Sequence, residues 1–491
     1  MKKLVLSAAV AFLATTTAMA QDNRDYSAQV GTDNIATTTQ DGDSNENYLL
    51  QLGDDNKSTV EQTGDENMSA SAQFGTNNTG DITQDGTGNA SVLLQMGANN
   101  TATVTEEGEA NSSAITQNGT GNTAGVDQWG EGNTSNLLQD GDRNEATITQ
   151  STGSRVSDFN TSNAEQIGND NTLIVSQVNT GHNVSTTLQD GNDNYAKVNL
   201  NGVNNKTDVT QDGDNNFVDT FQNYNSNELT INQVGNNNSA TEYTIGNNNY
   251  SDVDQRGNRN SSVIERNVGR DFSASRSFNG QAYVNQFGSD NTSMITQVGN
   301  FNITDVDQIG NNNGSDVNQA GDLNIATVTQ LGNTNSADVD QIGNSNTATV
   351  TQALFANNNE ATVSQDGDDN TATVTQSLFA YNNEGSIYQL GDSNTGTITQ
   401  SLGQLNEGML IQAGDSNTGT ITQLGSSNDS FVLQFNDGNT ATISQFGSGN
   451  DATNLQWGDL NTATVNQSGA DQFHFGAQVG NGNTLTVTQS N

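Results

Sequence analysis

Apolar and polar residues alternate with a period of two over short stretches of this chain, and those stretches return every eleven residues. In residues 341–352, QIGNSNTATVTQ, Asn346, Ala348, Val350 and Gln352 alternate with Thr347, Thr349 and Thr351. Side chains along a strand point to opposite faces in turn, so the first set shares one face and the threonines the other. Small Ala beside Val suits a thin, tightly closed interior; the Thr, Asp, Ser and Glu of the other set suit water. Gly343, followed by Asn344, Ser345 and Asn346, supplies turn chemistry, because Gly and Asn tolerate the positive φ of a sharp reversal. Each unit therefore predicts about six residues of strand and one tight turn.

The unit reads Gln, any, Gly, any, any, Asn, any, small, any, Val or Ile, any, and it runs from Gln29 to Gln489. Of 41 places for the recurring Gln, 37 hold it; the exceptions are Glu106, Leu200, Thr244 and Arg266. One strand and turn cannot bury its inner face alone, so units must close in pairs and the pairs must stack. Internal duplications come in even multiples: Leu-Leu-Gln recurs at 49–51, 93–95 and 137–139, and residues 353–376 and 377–400 are near-copies. The expected fold is all-β, a β-solenoid of about 20 two-strand rungs with two 11-residue strand-turn segments per rung, amyloid-like. At ~4.8 Å per rung it would be a rod on the order of 100 Å long.

Stacking places like over like. In residues 297–352 the predicted inward columns are Gln297, Gln308, Gln319, Gln330, Gln341 and Gln352; Asn302, Asn313, Asn324, Asn335 and Asn346; and Val306, Val317, Val328, Val339 and Val350. Gly299, Gly310, Gly321, Gly332 and Gly343 are the predicted turn residues. In-register amides donate to one neighbour and accept from the other, whereas a buried amide without a partner costs about 1–3 kcal/mol.

Only 30% of the residues are apolar and the mean hydropathy is −0.68, a composition that alone would indicate disorder. The strict period overrides that inference. Such a chain cannot fill a broad oily core, so backbone pairing and stacked polar side chains must hold it. The absence of Pro from all 491 residues fits a continuous ladder, in which every N–H is needed. The formal charge of −43, with no basic tract, argues against nucleic acid and anionic lipid as partners.

Residues 1–20 read as a secretory signal peptide, with Lys2 and Lys3, an apolar run from Leu4 to Ala14, and Ala18-Met19-Ala20 before the cleavage point. The apolar run is too short to span a bilayer, so no membrane insertion is expected. Residues 21–491 form the repeat array, with irregular stretches expected at 151–165 and 266–286. Five of the eight Arg fall between Arg256 and Arg276, a candidate basic joint.

The unit Gln-x-Gly-x-x-Asn-x-Ala-x-Val-x-Gln resembles the curlin repeat of curli subunits, carried in full by QAGDLNIATVTQ at 319–330, QIGNSNTATVTQ at 341–352, QDGDDNTATVTQ at 365–376 and QWGDLNTATVNQ at 456–467. The resemblance implies a secreted subunit that self-associates end to end into extracellular amyloid fibres at the cell surface. Such fibres serve adhesion and biofilm matrix, with a nucleator and a secretion channel as implied partners. The alternative is a monomeric β-solenoid adhesin or a surface- or ice-binding protein. Repeat form persists to Leu485–Gln489 and begins by Gln29, so neither end is expected to be capped.

Other features carry less. The DGDxN turns at 41–45, 140–144, 212–216 and 366–370 are compatible with weak Ca²⁺ association but lack the full spacing of a calcium loop; no cofactor is expected. Thr101, Thr103 and Thr105, like Thr371, Thr373 and Thr375, form outward Thr-x-Thr columns. The residue after the ladder Gln is often apolar, as at Phe287 and Ile309, and would bundle rods, engage a surface or cover the turn edge. Leu354-Phe355 and Leu378-Phe379 are expected to form bulged corners packing an apolar plug. His182 and His474 stand far apart with no Cys, so no catalytic or metal site is expected.

Overall fold

A computed structural model describes residues 22–151, 159–178, 181–266 and 277–491. The proposed signal peptide lies outside the described residues. Among those described there is no helix; the chain is a succession of strands joined by tight turns. Most strands run seven or nine residues, longer than the expected six, because in many units the Gly of the turn still pairs with the next coil.

Alternate strands belong to two separate parallel ladders. Arg24–Val30 pairs with Glu46–Asp54, bringing Gln29 beside Gln51, while Ile35–Asp41 pairs with Lys57–Asp65, bringing Gln40 beside Gln62. The coil therefore advances one rung every 22 residues, and the two ladders are the two broad faces of a β-solenoid of about 20 turns. We call the faces after their first ladder residues, the Gln29 face and the Gln40 face.

The inward-facing sets stay in register across the insertions. Gln139 pairs with Gln166, Gln255 with Gln286 and Gln352 with Gln376, although 27, 31 and 24 residues separate them. A one-residue slip would turn the inner set outward, so extra residues are expelled at the corners. Within the intervals 151–165 and 266–286, Thr161–Ile167 and Gln281–Ser289 are regular strands, and residues 152–158 and 267–276 lie outside the described residues.

The interior is one side chain deep from each face. Val306, Val317, Val328, Val339 and Val350 are fully buried, and a thread of Val, Ile, Leu and Ala continues from Leu49 to Val465. The corners are built differently from expectation. Gly321 takes φ 125°, but the second left-handed residue is the one before the Asn, for example Leu323 at φ 63° or Ser345 at φ 59°, not the Asn itself. The Asn has ordinary φ and turns inward.

The two phenylalanines do not plug the inserted corners. Phe355 and Phe379 are 70% and 63% exposed and stack on one another with ring centroids 5.2 Å apart, while Ala356 and Ala380 occupy the buried positions. Two extra residues shift the register between Gln330 and Gly332, and the thin interior admits only the small side chain.

Candidate functional site: the amide ladders and the open strand edges

The six Gln of residues 297–352 divide between the faces. Gln308 Nε2 donates to Gln330 Oε1 at 2.9 Å, Gln330 to Gln352 at 3.0 Å and Gln352 to Gln376 at 2.9 Å on the Gln29 face. On the Gln40 face Gln297 donates to Gln319 at 3.0 Å, Gln319 to Gln341 at 2.9 Å and Gln341 to Gln365 at 2.9 Å. The second amide hydrogen reaches a backbone carbonyl at the start of the opposing strand, as from Gln330 to Gly314 O at 2.8 Å. Both donors of a fully buried amide are thus used, which removes the desolvation cost.

Asn side chains stack by another pattern, because they are one methylene shorter. Asn302 Oδ1 accepts the backbone N–H of Asn324 at 3.0 Å, and Asn324 Oδ1 that of Asn346 at 3.0 Å; Asn313 accepts from Asn335 at 3.1 Å. Their Nδ2 atoms tie down turn carbonyls, as from Asn302 to Gly321 O and from Asn324 to Gly343 O, each at 2.8 Å. Gly299, Gly310, Gly321, Gly332 and Gly343 all have positive φ. A Cβ on Gly310 would lie 1.7 Å from Gly332 O.

On the Gln29 face the ladder is unbroken from Gln29, which donates to Gln51 at 2.6 Å, to Gln467, which donates to Gln489 at 2.8 Å. All four exceptions fall on the Gln40 face. Arg266 and Glu106 each keep one half of the missing amide's work. Arg266 Nε donates to Gln297 Oε1 at 2.9 Å, as a Gln would. Its charge meets Glu242, which stands in the valine column, at 3.3 Å, and its Nη1 also reaches Thr244 at 3.0 Å and Ser251 at 2.6 Å. Burial pulls the guanidinium down to about 10, so it stays cationic at neutral pH, and burial raises Glu242 against the opposing pull of that cation. The basic joint expected around Arg256 is therefore, at Arg266, a core residue. The signal was a Glu in an apolar column one coil from an Arg in the amide column.

Glu106 accepts from Gln84 at 2.8 Å and from Ser91 at 2.9 Å on one oxygen. Its other oxygen has no partner, and neither does the Oε1 of its register neighbour Gln128. A carboxylate cannot donate where a glutamine would, and burial accordingly raises this carboxyl above its usual range. A proton on Glu106 would join the two oxygens and complete the ladder.

Every Gln bond in both ladders points from an earlier coil to a later one. Gln489 Nε2 donates to Phe473 O at 2.9 Å and keeps one hydrogen free, whereas among the described residues no donor reaches Gln29 Oε1. The outermost strands, Arg24–Val30 and Thr484–Ser490, each pair on one edge only among the described residues, and their inward-facing sets are partly exposed.

The acidic turns do not gather metal ligands: among the described residues no group of three or more His, Cys, Asp or Glu is placed to hold an ion. Their carboxylates instead accept backbone N–H groups of the preceding coil, as Asp65 does from Asp43 at 2.9 Å. No helix among the described residues is long and apolar enough to cross a membrane.

No individually curated protein matches the chain. The profile of the curlin-associated repeat matches residues 31–64, 75–106, 225–257, 288–321, 321–353, 355–377, 403–435 and 437–469, just over half of the chain. With this repeat carried through two in-register ladders, the chain belongs to the curlin-repeat family.

Proposed function

We propose that this protein is a secreted structural subunit of curli-like extracellular fibres, self-assembling end to end for adhesion and biofilm matrix. The family and the solenoid are structural in kind, and the observation that carries the reading is the single direction of the amide ladder. Among the described residues Gln489 Nε2–H at one tip and Gln29 Oε1 at the other lack a ladder partner and are complementary, so tip-to-tail docking would continue the bond series of the interior. Head-to-head docking would set oxygen against oxygen. A heterologous contact of this kind generates an open filament, and unpaired strand edges template further pairing.

The test is growth of purified residues 21–491, followed by amyloid-dye fluorescence, electron microscopy and fibre diffraction. Gln489→Glu replaces the free donor with an acceptor on an exposed strand. We expect elongation to slow at least tenfold with the thermal melt of the rod unchanged. Monodisperse, dye-negative rods from the unaltered chain, or unimpaired growth of the variant, would turn the reading to a monomeric adhesin.

A further inference from the structure

The rod has two unlike edges in its C-terminal half. On the edge that follows the Gln29 face, seven successive corners carry no charge: residues 309–313, 331–335, 353–359, 377–383, 401–406, 424–428 and 446–450. Apolar side chains project from them, with Phe355 and Phe379 stacked at the centre and Ile309, Leu402, Leu405 and Phe446 also exposed; a shallow groove lies between Leu331 and Phe355. The opposite edge bears an aspartate column in which Asp392 accepts the N–H of Asp368 at 2.8 Å and Asp415 that of Asp392 at 2.8 Å. Exposed apolar residues occur there too, but among carboxylates.

Two chains of charge −43 repel along nearly every line of approach. Along the charge-free edge a second copy would meet an apolar strip of the same rung spacing without that repulsion. Its flanks decide the orientation. Beside it on the Gln40 face runs the exposed acidic column Glu360, Glu384, Glu407 and Asp429; beside it on the Gln29 face runs the hydroxyl column Thr351, Thr375, Thr399 and Thr422. Antiparallel rods meeting edge to edge would align acid with acid. Parallel rods related by a twofold axis along their length would set each acidic column beside the partner's threonines, which donate hydrogen bonds.

We propose that this edge is a lateral interface between two copies of the chain, parallel and in register, which pairs the filaments sideways. The proposal rests on the end-to-end reading for its setting, not for its contacts. Seven rungs at ~4.8 Å and a thickness of ~10 Å give roughly 350 Å² per partner, about 700 Å² in total, below the ~1,000 Å² of a stable pair. Single rods should therefore associate weakly, and filaments, which repeat the contact with every subunit, strongly.

The chain has no Cys, so single substitutions Phe355→Cys, Phe379→Cys and Leu402→Cys in residues 21–491 report the contact directly through a short bismaleimide. All three should cross-link to the same position of a second copy, and Leu460→Cys on the acidic edge should do so at least tenfold less. The combined F355S/F379S/L402S chain should give single filaments of unchanged length. Cross-linking at only one of the three positions would mean antiparallel contact and would overturn the proposal, as would equal yield at Leu460→Cys or bundle width unchanged by the triple variant. Binding to phosphatidylcholine vesicles that the triple variant abolishes, without cross-linking between copies, would assign the edge to a lipid surface instead. Filament length reports the end-to-end reading, and cross-linking reports this one even if only rods form.

Discussion

At the scale of the residue, the interior tests each side chain against one question: whether it both donates and accepts along the axis. Gln does. Glu106 does only when protonated, and its raised pKa gives pH a handle on the fold. Because the folded value lies above the unfolded one, about 4.3, this site costs nothing below that pH, and stability is lost as pH rises through the folded value. Glu106→Gln supplies the absent donor to Gln128. We expect it to stabilise the rod at pH 8 by about 1–3 kcal/mol, with little gain at pH 4, measured by urea melts at the two pH values. Equal effects at both would show that the two bare oxygens are not joined by a proton.

At the scale of the element, the corner sets the tolerance of the repeat. A Cβ on Gly321 would sit 1.9 Å from Gly343 O, so the next coil must move or the corner must open, whereas a Cβ on Gly88 meets nothing within 4 Å. Both have positive φ, at 125° and 68°. Gly88→Ala should cost only the left-handed backbone penalty, about 1 kcal/mol, and Gly321→Ala about 2–4 kcal/mol. Hydrogen exchange would place the second loss in the coils around 321 and 343. Similar costs for the two would mean that backbone conformation, not the close approach of stacked coils, selects glycine.

At the scale of the whole molecule, the same stacking that joins amides also piles up charge. Asp316 lies in register with Asp338, and both carboxyls, with Asp340, are raised by burial first and by their acidic neighbours second. Raised carboxyl pKa values again favour the folded, stacked state in acid, in the same direction as Glu106. Seeded elongation should therefore be at least tenfold faster near pH 4.5 than at pH 8, and added salt should narrow the gap at pH 8 by screening the outward columns. Elongation indifferent to both would remove charge as the brake on assembly.

The period of two inside a period of eleven determined the strand, the inward set and the two-strand rung, because a half-buried strand can keep its inner face only in one register. Val350, Asn346 and Gln352 could be placed inward from their spacing alone, and even duplications implied the 22-residue advance. What the string could not decide is anything set by the neighbour 22 residues away in space. That Arg266 takes up a glutamine's bond and that Phe355 points out while Ala356 fills the interior both follow from how far each side chain reaches across a cavity one residue deep. The charge-free edge is likewise scattered over seven corners of the sequence, and only the coiling gathers it into one strip.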